Sequence, residues 1–144
     1  MRAGLASAGM VTAGILAPSA AASAALPTFT LSQAIGLVPA QTITVSWAHQ
    51  LLGPSEGAFA VFQCAGLFDP ADYYRSCDEL ALQDPAKSSG SVDVVVHQQF
   101  IPDDLTLHVC NGIGAEQCYV VLVASETLAV HGSLPILFLG PSSK

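Results

Sequence analysis

The chain has 144 residues, of which only 10% are charged, and its formal net charge is −7. An acidic surface repels phosphate backbones and anionic lipid, so direct nucleic-acid binding by the polypeptide is not expected. Abundant Val, Leu, Ala and Thr at this low charge density indicate a compact β domain and exclude an intrinsically disordered chain.

The first predicted element is a signal peptide over residues 1–24. Arg2 precedes an apolar stretch over residues 3–17, and Ala22-Ser23-Ala24 has the small-residue pattern of a signal peptidase site. The stretch is shorter than the ~20 residues that span a bilayer, and its many Ala and Gly residues insert weakly, which disfavours a membrane anchor. We therefore expect a secreted protein that leaves the membrane after cleavage before Ala25.

The mature chain, residues 25–144, is predicted to form one domain of short β-strands. Apolar and hydroxyl residues alternate without a fault over residues 42–47, and Phe29 and Leu31 alternate with polar residues in an earlier strand. Further strands are predicted over residues 58–64, 91–97, 105–110, 118–124 and 135–139.

Turn-forming residues, such as Gly53-Pro54 and Asp84-Pro85, separate these strands. Residues 69–82 have room for a short helical turn and lack a sustained amphipathic period. Seven short strands at this spacing predict an all-β fold, an immunoglobulin-like sandwich of two sheets.

The four cysteines fall into two close pairs, Cys64 with Cys77 and Cys110 with Cys118. Four cysteines allow three connectivities, and sequence alone does not choose among them. Sequential pairing is favoured because each pair flanks a turn-rich segment, such as Asn111-Gly112-Ile113-Gly114. A long inter-sheet bridge from Cys64 to Cys110 or Cys118 stays open as the alternative. Export favours oxidation over a zinc site, for which no Cys-x-x-Cys unit is present.

No catalytic and no metal site is predicted. Paired acids such as Asp103-Asp104 lie in a turn, where they are more often solvated than catalytic, and no G-x-S-x-G nucleophile elbow exists. Trp47 shares a strand face with Ile43 and Val45 and is expected in the core. Four histidines lie in separate segments and are expected to be exposed or hydrogen-bonded singly: His49, His97, His108 and His131.

An ordered set of short motifs runs along nearly the whole mature chain, with two loop-length differences. It comprises Ala25-Leu26-Pro27-Thr28, Gly36-Leu37, Gln63-Cys64-Ala65 with Cys77, Gly90-Ser91 leading through Val96 to Phe100, and Cys110 and Cys118 with Leu122 beyond. In this order the motifs resemble the neocarzinostatin family of enediyne apoproteins. Gln63-Cys64-Ala65 resembles the family's first half-cystine motif, and the last cysteines resemble its second bridge.

The resemblance implies a seven-stranded immunoglobulin-like sandwich with a short side ribbon and two local disulfides. It also implies a cleft between sandwich and ribbon that holds a labile, hydrophobic enediyne chromophore non-covalently. The implied partner is therefore a hydrophobic small molecule, and the protein is a monomeric carrier rather than an enzyme. In this family the chromophore, not the polypeptide, cuts DNA, and apolar walls shield it from water and thiols.

The resemblance further implies which residues form the ligand cleft. They are Phe62, Cys64, Gly66, Cys77, Leu82, Tyr119, Val121 and Val123. Phe62 and Val121 fall where the family keeps glycines on the cleft floor, and the shorter ribbon over residues 100–110 lacks counterparts of two family aromatics. Two functions follow: a carrier of a small apolar chromophore, or a secreted module whose filled cleft serves a structural or protein-interaction role.

Overall fold

The computed structural model describes residues 25–111 and 116–140, and the regular secondary structure of these residues is almost all β-strand. The strands in chain order are β1 Thr28–Leu31, β2 Ile35–Leu37, β3 Gln41–Ala48, β4 Phe59–Ala65, β5 Cys77–Gln83, β6 Gly90–Val96, β7 Gln99–Phe100, β8 His108–Val109, β9 Cys118–Ala124 and β10 Val130–Phe138. A single helical turn in the described part, α1 Tyr73–Ser76, lies between β4 and β5. The predicted signal peptide over residues 1–24 lies outside the described residues.

Two sheets and a small ribbon make up the architecture. One sheet has the strand order β1-β3-β6, the other has the order β2-β10-β9-β4-β5, and β7 pairs with β8 in the ribbon. Neighbouring strands are antiparallel except for β2, which runs parallel to β10. The five-stranded sheet therefore ends in β5 on one side and in the short strand β2 on the other.

The main core lies between the two sheets. On β3 the alternating residues Ile43, Val45 and Trp47 are buried, and they pack in one cluster with side chains of the five-stranded sheet such as Phe59 and Leu122. The Trp47 ring meets Phe59 edge-on at 5.9 Å, and its Nε1 donates a hydrogen bond to the Lys87 carbonyl at 2.8 Å. The predicted core position of Trp47 is confirmed.

The strands β4 and β9 are buried on both faces, unlike β3. Phe59 and Val61 of β4 face the core between the sheets, whereas Phe62 and Cys64 belong to a second cluster on the outer face. Continuous apolar runs such as residues 120–123 are typical of strands covered on both sides. The outer face of the five-stranded sheet is therefore covered by other parts of the chain, and it is the face that the sequence assigned to the cleft.

The two predicted disulfides are confirmed as sequential bridges, Cys64–Cys77 and Cys110–Cys118. Cys64 and Cys77 lie opposite each other on β4 and β5. Cys110 follows β8, and Cys118 begins β9. The long inter-sheet bridge left open by the sequence is therefore excluded.

The all-β, immunoglobulin-like class is confirmed, but the described residues contain ten strands rather than seven. The sequence missed β5, in which Asp78 and Glu79 interrupt the apolar pattern. The strand predicted over residues 105–110 shrinks to β8, because Leu105 adopts φ +63° and Asp104 accepts a hydrogen bond from the Thr106 N–H in a turn. The last strand begins at Val130 instead of residue 135.

Candidate functional site

The outer face of the five-stranded sheet carries a second apolar cluster, called here the outer cluster. Its buried members are Ala60, Phe62, Cys64, Cys77, Val121 and Val123, and the partly buried Phe68, Tyr73, Tyr119 and Leu128 pack against them. Phe62 and Val121 lie side by side in the pairing of β4 with β9. Val121 is fully buried and Phe62 is 7% exposed, so this part of the sheet is already covered by side chains.

Three aromatic rings provide much of that cover. The Phe62 ring lies 5.9 Å from Phe68 and 5.6 Å from Tyr73, and the last two rings stack on each other at 5.6 Å. Such separations are the preferred range for aromatic pairs. Because Phe68 and Tyr73 come from the loop closed by the Cys64–Cys77 bridge, the disulfide holds two loop aromatics over the floor residue Phe62.

The loop leaves the sheet through a residue that requires unusual backbone freedom. Gly66 follows β4 directly with φ +86°, and its N–H donates to the Gln117 carbonyl at 2.8 Å. Positive φ is unfavourable for residues with a Cβ, so a side chain at this position would strain the turn even though the space around it is open. Gly66 therefore directs the loop back across the sheet.

The ribbon of β7 and β8 is tied to this loop by His108. Its Nε2 lies 2.8 Å from the Arg75 carbonyl oxygen, and its Nδ1 lies 2.7 Å from a Glu116 carboxylate oxygen. Both partners only accept hydrogen bonds, so both ring nitrogens donate when the imidazole is protonated. The His108 ring also stacks on Phe100 at 5.5 Å. We call this arrangement the His108 clasp.

The clasp favours the charged form of the imidazole. Burial lowers the pKa of His108, but hydrogen bonds from the ring to Glu116 and to the Arg75 carbonyl oppose it, together with the Coulombic attraction of Glu116 and Asp104. The net result is that the pKa of His108 is raised above its usual value of 6.5. The link between ribbon and loop is therefore strongest in acid.

A cavity of about 260 Å³ opens beside the outer cluster. Aromatic side chains, the Cys77 end of the bridge and acidic residues line it: Phe62, Tyr73, Tyr74, Cys77, Asp78, Glu79 and Asp103. Asp103 belongs to the turn between the ribbon strands, so the cavity lies between β5, the disulfide loop and the ribbon. It combines aromatic walls with an acidic rim.

The structure brings together most, but not all, of the residues assigned to the cleft. Six of them lie in or against the outer cluster, namely Phe62, Cys64, Cys77, Tyr119, Val121 and Val123. Gly66 lies at the start of the covering loop, with open space where a Cβ would project. Leu82 lies outside the cluster and is 55% exposed, because β5 is the edge strand of the sheet. The ligand-binding role of these residues stays a prediction.

The sequence missed the residues that cover and rim the site. Phe68, Tyr73, Tyr74 and Asp103 all come from loops or from the helical turn, where no periodic pattern reports which side faces the sheet. The one available signal is local: three aromatics, Phe68, Tyr73 and Tyr74, fall within the short loop that Cys64 and Cys77 enclose.

Within residues 25–111 and 116–140, no group of three or more His, Cys, Asp or Glu side chains is arranged to hold a metal ion. His131 is held singly, as expected, by Glu56 at 3.0 Å and Gln50 at 3.3 Å. No helix of the described residues is long and apolar enough to cross a membrane.

A comparison with solved structures identifies macromomycin, an enediyne chromoprotein apoprotein of the neocarzinostatin family. The match has a TM-score of 0.54 and 23% sequence identity, and it covers 79% of this chain and 100% of macromomycin. No protein-family model and no curated protein matches the sequence. The chain therefore has the β-sandwich fold of the neocarzinostatin-type apoproteins, as the sequence resemblance implies.

Proposed function

We propose that this protein is a secreted carrier that holds a small apolar molecule, of the enediyne type, non-covalently beside the Cys64–Cys77 loop. The observation that carries the proposal is the position of the 260 Å³ cavity, whose lining includes the cleft residues Phe62 and Cys77. The fold match supports it, because macromomycin is a chromophore-carrying apoprotein. The proposed chromophore, and not the acidic polypeptide, would act on DNA.

The size of the cavity limits what it encloses. Pockets for drug-sized ligands usually measure about 300–1,000 Å³, and this cavity of about 260 Å³ lies just below that range. Tyr73 and Tyr74 stand edge to face at 6.4 Å and offer flat apolar surfaces. We therefore expect one unsaturated part of the ligand to enter the cavity and the rest to lie across the acidic rim of Asp78, Glu79 and Asp103.

The chain's part in this function is shelter rather than chemistry. Burial against Phe62 and Tyr73 excludes water from a reactive group, and no catalytic activity is proposed. The two disulfides suit an extracellular carrier, because an oxidising medium preserves them. We propose that the carrier is exported by its signal peptide and acts as a monomer.

Native mass spectrometry of protein isolated from the culture medium of its own source tests the proposal. The expected result is a chain that begins at Ala25, contains two disulfides and carries an additional mass that is lost on denaturation. Protein refolded from a heterologous host provides the ligand-free control. Bare polypeptide alone from producing cultures would contradict the carrier function, and an intracellular chain that retains Met1 would contradict export.

A second candidate function is a structural or protein-interaction module with a filled cleft. The observation in its favour is that Val121 is fully buried in one cluster with Phe62, Phe68 and Tyr73, whose side chains occupy the floor that a larger ligand would need. The two candidates differ in whether a ligand reaches that floor.

Replacing Phe62 by Ala distinguishes the candidates, with Leu51→Ala at an exposed apolar position outside the sheet as the control. If the floor is permanently filled, the neutral fluorescent apolar probe N-phenyl-1-naphthylamine should shift the amide resonances of residues 62–79 only in Phe62→Ala. If the cleft accepts ligands, the wild type and Leu51→Ala should show these shifts as well.

A further inference from the structure

We propose a second small-molecule site at the opposite edge of the five-stranded sheet, which accepts a neutral, largely apolar molecule with one hydrogen-bond donor. The site is a cavity of about 350 Å³, called here the edge pocket. Its walls come from the start of β2 and the residue before it, from β10 and from the residue before β9: Ala34, Ile35, Gln117 and the run Leu134-Pro135-Ile136-Leu137. None of these residues belongs to the outer cluster.

The edge pocket exists because β2 pairs with β10 for only a short distance. Ile35 lies opposite Leu137, and the Leu137 N–H donates to the Ala34 carbonyl at 2.7 Å. Two residues earlier, at the next position whose N–H would point toward β2, Pro135 has no N–H to donate, and proline is tolerated only where a strand edge is left unpaired. The chain before Ile35 therefore diverges from β10 and leaves a hollow beside Leu134 and Pro135.

The lining defines the chemistry of the occupant. Gln117 is the one polar side chain that lines the pocket within the described part of the chain. Its Nε2 donates to the Cys118 carbonyl at 3.0 Å and to the Ile136 carbonyl at 3.1 Å. Because both partners are acceptors, they fix the orientation of the amide and use both of its hydrogens. No donor among the described residues bonds its side-chain carbonyl oxygen, and we assign this oxygen to accept a hydrogen bond from the ligand.

Charge and volume favour a neutral small molecule over a second copy of the chain. Among residues 25–111 and 116–140, no charged side chain lines the pocket, and ligand pockets commonly have volumes of 300–1,000 Å³. Two copies with a net charge of −7 each would repel one another at close approach. A polar molecule with several donors is disfavoured because the apolar walls would leave them unpaired.

The β10 and β9 walls of the edge pocket are held in place by strand pairing and by a disulfide in the absence of ligand. β10 pairs with β9 from Ile136 opposite Cys118 back to Val130 opposite Val123. Cys118 is also bridged to Cys110, and both cysteines are fully buried. A preformed pocket does not lose binding energy to the ordering of loops. The edge pocket is therefore suited to bind without a conformational change.

Amide NMR titration of the mature protein with 1-naphthol tests this site, with 1-methoxynaphthalene as the matched probe that lacks a donor. We expect saturable shifts at residues 34–37 and 134–137, and about fivefold tighter binding of 1-naphthol, the worth of one hydrogen bond. Gln117→Met should abolish this preference. Ala34→Trp, which fills the pocket, should abolish the shifts, whereas Leu51→Trp at an exposed apolar position should not.

Several results would overturn the inference. Shifts that do not saturate, equal affinity for the two probes, or persistent binding in Ala34→Trp would each do so. Shifts of residues 34–37 that grow with protein concentration in the absence of probe would identify a second copy as the occupant. Shifts confined to residues 62–79 would support the proposed carrier cleft and exclude the edge pocket, so the two proposals fail separately. If Gln117→Met does not fold, the comparison of the two probes and the Ala34→Trp variant still tests whether the edge pocket binds the ligand.

Discussion

Because of the His108 clasp, we expect the free energy of unfolding to depend on pH through the protonation of one side chain, His108. His108→Phe keeps a ring that stacks on Phe100 and removes both hydrogen bonds of the clasp, to Glu116 and to the Arg75 carbonyl. The substitution therefore measures how much the two hydrogen bonds of His108 contribute to stability. We expect it to destabilise the protein in acid and to matter much less in base.

The size of the effect follows from the two bonds. A hydrogen bond that involves a charged group contributes about 1.5–3 kcal/mol, but the Glu116 side chain is 49% exposed, which weakens its share. We expect a loss of about 1–2 kcal/mol below pH 6. Because the folded-state pKa of His108 is raised, its stabilisation is fully present below the ordinary pKa of 6.5 and is lost as the pH rises through the folded value.

Chemical denaturation of wild type and His108→Phe at pH 5.5 and pH 9 measures this difference. Glu116→Gln retains an acceptor without the charge and should lower the pKa of His108 in an NMR titration. His97→Phe is the matched control, because His97 bonds Gln63 through its backbone. Equal destabilisation at both pH values, or a His108 pKa at or below the ordinary value in the wild type, would refute the reasoning.

Two further predictions concern buried groups. Gln63 is fully buried and accepts a hydrogen bond from the His97 N–H at 2.8 Å while donating to the His97 carbonyl. Gln63→Leu leaves both backbone groups without a partner and should lower the free energy of unfolding, measured in urea, by about 2–4 kcal/mol. A loss below about 1 kcal/mol would show that water replaces the amide. Removing the Cys110–Cys118 bridge by a double alanine substitution should cost about 2.5 kcal/mol by loop entropy, and an unchanged denaturation midpoint would contradict that estimate.

Local alternation explains what the sequence predicted correctly. The faultless period of β3 placed Ile43, Val45 and Trp47 on the core face, and the same reasoning separated Phe59 from Phe62 on β4. Sequential disulfides were also accessible, because each pair flanks a short turn-rich segment. These features depend on neighbours within a few residues along the chain.

The features that the sequence missed depend on contacts between distant segments. At Val61 and Phe62 the pairing of β4 with β5 shifts by one residue, so β5 lacks a regular pattern. The cover of Phe62 depends on how the loop closed by Cys77 folds across the sheet. Likewise, the edge pocket depends on the parallel pairing of Ile35 with Leu137, about a hundred positions apart in the sequence.

The alternation of β4 and β9 also explains how a shared fold can coexist with a changed cleft. Side chains on the inner face, such as Phe59 and Leu122, build the core between the sheets, whereas Phe62 and Val121 project from the opposite face. A substitution on the outer face therefore alters the size of the cleft without opening the main core. Phe62 itself lines the cavity of about 260 Å³, while Phe59 on the opposite face of the same strand packs in the main core. In the proposed carrier, the outer cluster and its loop would therefore select the ligand, and a fold match alone does not transfer its identity.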